Sequence, residues 1–253
     1  MPPAIWHSLK LLESFRDSDN TRRFIFQTES PEPINYVPGQ FLTCDLPIGE
    51  KRLQRWRSYS IANRCDETQQ IEFCISYKKD GPASEFFFHK IQKGDIIKAK
   101  GPEGTFVLPQ MSGMQLVMIC TGTGLAPYRA MLQEILQSGH SFSSIHLIFG
   151  CRKSDDILFR HEWSQWASGI PNFFATICLS RENEFSPKDF KGIRFMNSYV
   201  HAAYLESLAS NTLDRDKALF MLCGWQEMID EAIAKLYLEQ KIPREQIRFE
   251  LFG

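Results

Sequence analysis

Apolar and polar positions along the chain follow two rhythms. From about residue 5 to 110, short extended runs are cut at close intervals by turn-forming clusters: SPEP, VPGQ, LPIG, KDGPAS, KGD and GPEG. This pattern predicts strands over residues 6–13, 23–28, 40–45, 57–61, 71–76 and 95–100. Six strands with close turns and little helical periodicity predict an antiparallel barrel. One helix interrupts it: ASEFFFHKI follows the Gly81 turn, with Ser84 as its expected N-cap.

From about residue 114 the rhythm changes. MQLVMICTG reads as a buried strand and LAPYRAMLQEILQSG as a helix that Gly139 ends. SIHLIFGC, FFATICLS, KALFMLCG and IRFELFG follow as strands; ILFRHEWSQWAS, VHAAYLESLA and WQEMIDEAIAKLYLEQK read as helices. Apolar strands alternating with helices imply a parallel sheet covered on both faces. PQMSG punctuates the chain near residues 109–113, so two domains are expected, 1–110 and 111–253.

Composition narrows the class. A chain of 253 residues with 43% hydrophobic and 23% charged residues is ordinary globular material. Its net charge of −1 gives no bias toward nucleic acid or anionic membrane. No apolar run approaches the roughly 20 residues of a membrane span, and MPPAIWHSLK lacks the apolar core of a secretory signal. Seven scattered cysteines form no CxxC, which reads as free thiols in a reducing compartment, the cytoplasm. The six histidines make no HxH or HxxxH pair, so no metal site is expected.

Some stretches fit core packing poorly. In RWRSYSIAN, Trp56, Ser58, Ser60 and Ala62 alternate with Arg57, Tyr59, Ile61 and Asn63, and neither face is cleanly apolar. Ligand contact is the competing reading. CTGTGLAPYRA follows a buried strand and opens a helix, so the N–H groups of Thr121, Gly122, Thr123 and Gly124 form either a pyrophosphate cradle or a tight turn. Cys223 and Gly224 in LCGWQEM repeat that geometry, and ligands of open α/β sheets gather at such carboxyl ends. Gly81, Pro82, Ala83 and Ser84 in KKDGPASEFF permit close approach of a phosphate, or make a plain turn. Ser180 and Arg181 in LSRENE end another strand, where an arginine holds a 2′-phosphate or merely solvates a loop. Arg152 in FGCRKSDD is positioned to join it, with Arg194 a third candidate. Phe252, next to the C-terminus, is placed to lie as a lid on a ring.

Taken in order, RSYSIAN, DGPAS, KAKGPEGTF, CTGTGLAP, LSRE, LCG and ELFG resemble the ferredoxin–NADP⁺ reductase family of flavoproteins, over essentially the whole chain. The resemblance implies an FAD-binding antiparallel β-barrel followed by an α/β domain that binds NADP(H), with NAD(H) the alternative. Arg57 and Ser84 would hold the FAD pyrophosphate, with backbone from Gly81 to Ser84. Tyr59 would pack on the isoalloxazine or ribityl side, within the motif that also holds Ser58. Ser60 would lie near flavin N5, with Ile61 next to it. Cys74, Ile75, Ser76 and Tyr77 match the strand flanking the flavin and the start of its adenosine side. Thr105 and Phe106 would line the junction before the second domain. Thr121 and Cys223 would flank the nicotinamide, and Arg181 argues for NADPH, with Lys188 and Lys191 as approximate partners. Glu250 and Phe252 resemble the family's terminal acidic-x-aromatic pattern, though the chain ends in Phe-Gly where plastid enzymes end in tyrosine.

The implied chemistry is hydride transfer from nicotinamide to flavin, then electron transfer to a partner such as ferredoxin or flavodoxin. Ser60, Cys223, Glu250 and Phe252 would serve the reacting rings. The alternatives are an NADH-dependent oxygenase-type or flavin reductase, and a non-catalytic flavin-binding module. Lys51, Arg52, Arg55 and Arg57 beside the flavin motif suit an acidic partner, or are a solvated loop.

Overall fold

A computed structural model describes residues 5–29, 33–182 and 190–252. The chain divides into two compact units: Met1–Leu108 with Ala126–Glu134, and Pro109–Leu125 with Ile135–Gly253.

The first unit holds β1 (Trp6–Ser18), β2 (Thr21–Thr28), β3 (Phe41–Asp45), α1 (Arg52–Arg55), β4 (Trp56–Ser60), β5 (Gln70–Ser76), α2 (Pro82–Glu85) and β6 (Ile96–Glu103). Its six strands pair antiparallel in the order β4-β3-β6-β1-β2-β5. Leu9, Phe24, Phe26, Leu42, Phe73 and Ala99 alternate inward and are almost fully buried, while Lys98 and Lys100 face outward. β1 is longer than its apolar alternation predicts, because register shifts after Leu11 and Arg16 let it keep pairing with β2.

The sheet is closed just past β4. Ala62 donates its N–H to Glu72 O (2.8 Å), and the Asn63 side chain accepts from Glu72 N (2.8 Å) and donates to Gln70 O (2.9 Å). The Glu72 carboxylate, 6% exposed, accepts from Arg23 Nη1 (3.1 Å) and Arg129 Nη1 (2.9 Å). Arg129, from helix α3 (Leu125–Ser138), also donates to Ala62 O (2.9 Å). These bonds tie the edge strands into a barrel.

The helix after Gly81 departs from expectation. Its N-cap is Gly81, and Ser84 lies inside the first turn. Pro82 starts the helix because its fixed φ suits the first position, where a missing N–H is harmless. The Ser84 hydroxyl turns back instead, lying 2.7 Å from Lys78 O and 2.9 Å from Gly81 O while accepting from Lys78 N. Phe86–Lys90 continues as a wider π-type turn that buries Phe86 and Phe87.

The second unit holds β7 (Gln115–Thr121), β8 (Ser144–Cys151), α4 (Trp163–Gly169), β9 (Phe173–Leu179), β10 (Ile193–Met196), α5 (Val200–Ala209), β11 (Ala218–Gly224), α6 (Gln226–Ile233) and β12 (Ile247–Leu251). All six strands run parallel, in the order β10-β9-β8-β7-β11-β12. β7 and β11 are buried along nearly their whole length, as strands covered on both faces must be. α3 ends at Gly139, whose φ of +76° suits glycine. The helix expected over residues 157–168 begins only at Trp163, because Phe159 takes a left-handed φ of +50° that a continuous helix excludes. β10 is short and only partly buried, so its residues carry no clear alternation in sequence.

Cys44, Cys74, Cys120, Cys178 and Cys223 are buried, Cys65 and Cys151 half-buried, and all seven are free. Among the described residues no helix is long and apolar enough to cross a membrane.

One buried base gives this unit a pH dependence. His146 in β8 stacks on Phe174 (5.0 Å) and its Nε2 lies 3.0 Å from Ser144 Oγ. Burial lowers its pKa to about 4. A depressed histidine pKa favours the folded state fully above the unfolded value near 6.5 and loses that contribution as pH falls through 4. Stability should therefore fall by roughly 3 kcal/mol from this group between pH 6.5 and 4. Urea midpoints across that range should show a shallower acid slope in His146→Gln.

Candidate cofactor and nucleotide sites

β4 carries the mixed stretch met in the sequence. Ser58 is exposed and shares a hydrogen bond with Thr43 Oγ1 (3.0 Å), while Ser60 is buried. Tyr59 packs on Phe73 (5.6 Å) and edge-on to Phe87 (5.3 Å). Burial pushes its phenol above the ordinary range, so it is neutral at physiological pH. The Phe87 contact packs β4 against the π-type turn Phe86–Lys90 that directly follows DGPAS and Glu85.

Arg57 Nη1 donates to the main-chain carbonyls of Trp56 (2.7 Å) and Leu53 (3.3 Å). Among the described residues it has no carboxylate partner. Gly81 fits its turn tightly, since a Cβ there would stand 3.0 Å from both Lys78 O and Ser84 Oγ. Cys74 and Ile75 are buried, Ser76 bonds Thr21 (2.9 Å), and Tyr77 donates to the Glu85 carboxylate. Phe106 is buried against Tyr128 (5.8 Å) within the same unit, and Thr105 is exposed.

The basic run upstream is partly neutralised. Arg55 forks onto Asp45 (2.7 and 2.6 Å), and Lys100 pairs with Glu103 (2.9 Å). Trp56, which the sequence left unassigned, stacks edge-on with Trp6 (5.5 Å) and carries Arg52 (4.8 Å) and Lys100 (4.9 Å) on its ring.

In the second unit, two glycine turns interlock at the carboxyl edge of the sheet. Cys120 of β7 pairs with Cys223 of β11, and Glu250 of β12 pairs with Cys223 from the other side. A Cβ on Gly124 would stand 2.3 Å from Cys223 O, and one on Gly224 (φ +146°) would stand 2.5 Å from Thr121 Oγ1. Only glycine allows either approach. Gly122 has φ +53°, and a Cβ there would meet Trp225 Nε1 at 3.8 Å, an ordinary contact distance. Thr123 lies in the short 3₁₀ turn Gly122–Gly124 that leads into α3. Thr121 Oγ1 is buried and, among the described residues, has no hydrogen-bond partner. Burial, with Glu250 adding to it, raises the Cys223 thiol well above its ordinary pKa, so it is a protonated thiol and not a nucleophile. Phe252 is half-buried and donates its N–H to Gly224 O (2.9 Å).

The arginines at the ends of β8 and β9 are also brought together. Ser180 N donates to Cys151 O (3.0 Å) and Arg181 N to Arg152 O (2.9 Å). Both side chains are exposed, without a carboxylate partner among the described residues. Glu182, the acidic neighbour, is turned away and accepts from Ser154 N–H and Oγ (3.0 Å). Arg194 is held by both carboxylate oxygens of Glu206 (2.8 and 2.9 Å), which removes it as a third phosphate ligand. Lys191 is exposed after Phe190, and Lys188 lies outside the described residues.

Sequence reasoning missed Glu72 and Arg129. A glutamate inside an apolar strand (IEFCIS) and an arginine inside an apolar helix (LAPYRAML) are the available signal, because buried charges are paired.

A barrel bearing an arginine-tyrosine strand, and a parallel sheet with interlocked glycine turns, define the class of two-domain dinucleotide-binding flavoproteins. Family models agree: the oxidoreductase FAD-binding domain matches residues 8–108 and the oxidoreductase NAD-binding domain residues 118–233. The chain is 27% identical to ferredoxin–NADP reductase B of Sorangium cellulosum, over 91% of each. It is 29% identical to the electron transfer component of anthranilate 1,2-dioxygenase of Acinetobacter baylyi, over 83% of this chain but 56% of that protein. Thus it spans nearly the whole of the first relative and a little over half of the second. The crystal structure of a cytochrome P450 reductase from Amycolatopsis superposes with TM-score 0.82 at 26% identity, over 99% of this chain and 70% of that one. A Neisseria gonorrhoeae ferredoxin NADP⁺ reductase with bound FAD and NADP shares the fold at TM-score 0.78, with 23% identity over 97% and 98% of the chains. The chain belongs to the ferredoxin–NADP⁺ reductase family and carries that family's FAD-binding and NAD(P)-binding domains.

Proposed function

We propose that this chain is an NADPH-dependent reductase that passes electrons through FAD to a protein acceptor of the ferredoxin or flavodoxin kind. The observation that carries the reading is the glycine interlock at residues 121–124 and 223–224. It leaves turn amides and a buried, unpartnered Thr121 hydroxyl at one sheet edge, a donor set that fits the amide and phosphate groups of a nicotinamide dinucleotide. In the barrel, the Arg57 guanidinium and the first-turn N–H groups after Gly81 fit a pyrophosphate. Here Ser84 contributes by holding that turn closed, and its N–H remains for the ligand.

The bound dinucleotides supply the hydride chemistry. The chain's own residues orient them: Tyr59 stiffens β4 from within, Ser60 and Cys223 present a hydroxyl and a protonated thiol, and Glu250 holds a negative charge beside that thiol. Phe252 serves as the aromatic cover at the C-terminus. Arg152, Ser180 and Arg181 select the 2′-phosphate, since among the described residues no acidic side chain pairs with the two arginines. Lys51 and Arg52, beside the Trp6–Trp56 pair, suit docking of an acidic protein.

Anaerobic titration of the FAD-loaded chain tests this. NADPH should bleach the flavin faster than NADH, and Arg181→Ala should slow NADPH by roughly tenfold or more while leaving NADH unchanged. A chain that retains no FAD overturns the enzyme reading. Equal bleaching of the wild type by both nucleotides overturns the preference for NADPH. Steady-state reduction of ferredoxin, flavodoxin and an oxygenase component then separates the acceptors.

A further inference from the structure

Trp225 stands where a large aromatic side chain has no structural use. It follows Gly224 and occupies the N-cap of α6, yet makes no side-chain cap bond. Ser, Thr, Asp or Asn at that position satisfy the helix's first N–H groups, and tryptophan satisfies none. The residue is 55% exposed, so packing does not hold it either. Its indole nitrogen nevertheless has a defined place: a Cβ on Gly122 would lie 3.8 Å from Trp225 Nε1, the one contact within 4 Å that it would make among the described residues beyond its own turn. Among the described residues the indole N–H has no acceptor. Gly122 is held at φ +53° in the turn that presents its amides, and Thr121 Oγ1 beside it is likewise without a partner.

We infer that Trp225 is a dinucleotide-binding residue, its indole N–H donating to a pyrophosphate oxygen above the Gly122–Gly124 turn. An indole N–H is a donor only, so the group it serves must be an acceptor. A phosphate oxygen is the acceptor that the neighbouring turn amides also select. The exposed ring then forms a wall of the cradle that Gly122, lacking a side chain, leaves open. This inference rests on the dinucleotide reading above, and it differs from the role of Arg181. Pyrophosphate is common to NAD⁺ and NADP⁺, whereas the 2′-phosphate is not.

Calorimetric titration of the FAD-loaded full chain with NADP⁺ and NAD⁺ separates these roles. Trp225→Phe keeps a ring and removes the N–H, and should weaken both nucleotides by the same factor, about tenfold, with an unchanged melting temperature. Arg181→Ala should weaken NADP⁺ alone. In proton–nitrogen spectra, the indole resonance missing from Trp225→Phe should move in the wild type on adding either nucleotide. Unchanged affinities in Trp225→Phe overturn the inference, as does a loss confined to NADP⁺ or one accompanied by a fall in melting temperature. A wild type that binds neither nucleotide overturns the dinucleotide reading itself.

Discussion

Glu72→Ala should cost the protein about 3–5 kcal/mol of stability, the range for breaking a buried ion pair from one side. The carboxylate is 6% exposed and Arg129 is 7% exposed, so neither charge has water to fall back on. Removing Glu72 takes away the carboxylate that the buried Arg129 guanidinium faces at 2.9 Å, while its bond to Ala62 O stays. Arg23 suffers less, being closer to solvent and near Asp17 (3.6 Å). Glu72→Gln keeps the shape and one acceptor oxygen, so its loss should be smaller. Urea denaturation of the FAD-loaded protein measures both, and a loss under about 1 kcal/mol for the alanine variant would contradict the buried-pair account.

Arg57→Ala should separate cofactor retention from folding. Among the described residues its guanidinium donates to two main-chain carbonyls, and at this half-buried position water can replace those bonds. A charge-assisted bond to the FAD pyrophosphate would be worth about 1.5–3 kcal/mol, so FAD affinity should fall by roughly 10- to 150-fold. The unfolding free energy of the FAD-free protein, from urea denaturation, should stay within about 0.5 kcal/mol of wild type. Arg57→Lys keeps the charge but not the fork, and should recover part of the affinity. Equal FAD retention in wild type and Arg57→Ala, read from the flavin absorbance after gel filtration, would remove Arg57 from the site.

Much of this was legible along the chain, and the gaps have physical causes. Strands β7 and β11 announced themselves as unbroken apolar runs, and the glycines at 122, 124 and 224 marked where the backbone turns sharply. That those turns interlock follows from strand order: β7 and β11 are neighbours although more than 90 residues separate them. Ser84 was read as a cap because its chemistry suits one, but Pro82 at the first helical position sets the cap at Gly81, three residues earlier. β10 escaped notice because a partly buried, four-residue strand has no periodicity to detect. The fork of Arg194 onto Glu206 and the turn of Glu182 toward Ser154 depend on which loops meet, and local patterning does not encode that. Of the three exposed arginines singled out near the strand ends, the structure thus distinguishes two without a carboxylate partner among the described residues from one already engaged by Glu206.

The closure of the barrel at Ala62, Asn63 and Glu72 limits how this chain can evolve. Residues 57–63 run from β4, the strand proposed above to face FAD, into the join that completes the sheet, so a substitution favourable for a new cofactor must also leave the join intact. Ala62 and Asn63 each form bonds to Gln70 or Glu72 that no neighbour can take over. Ser58, exposed and with its hydroxyl shared with Thr43, is the position where variation is cheapest. Laboratory selection for altered flavin use should accumulate changes at Ser58 and on the Gly81 turn before it touches the residues that follow Ser60.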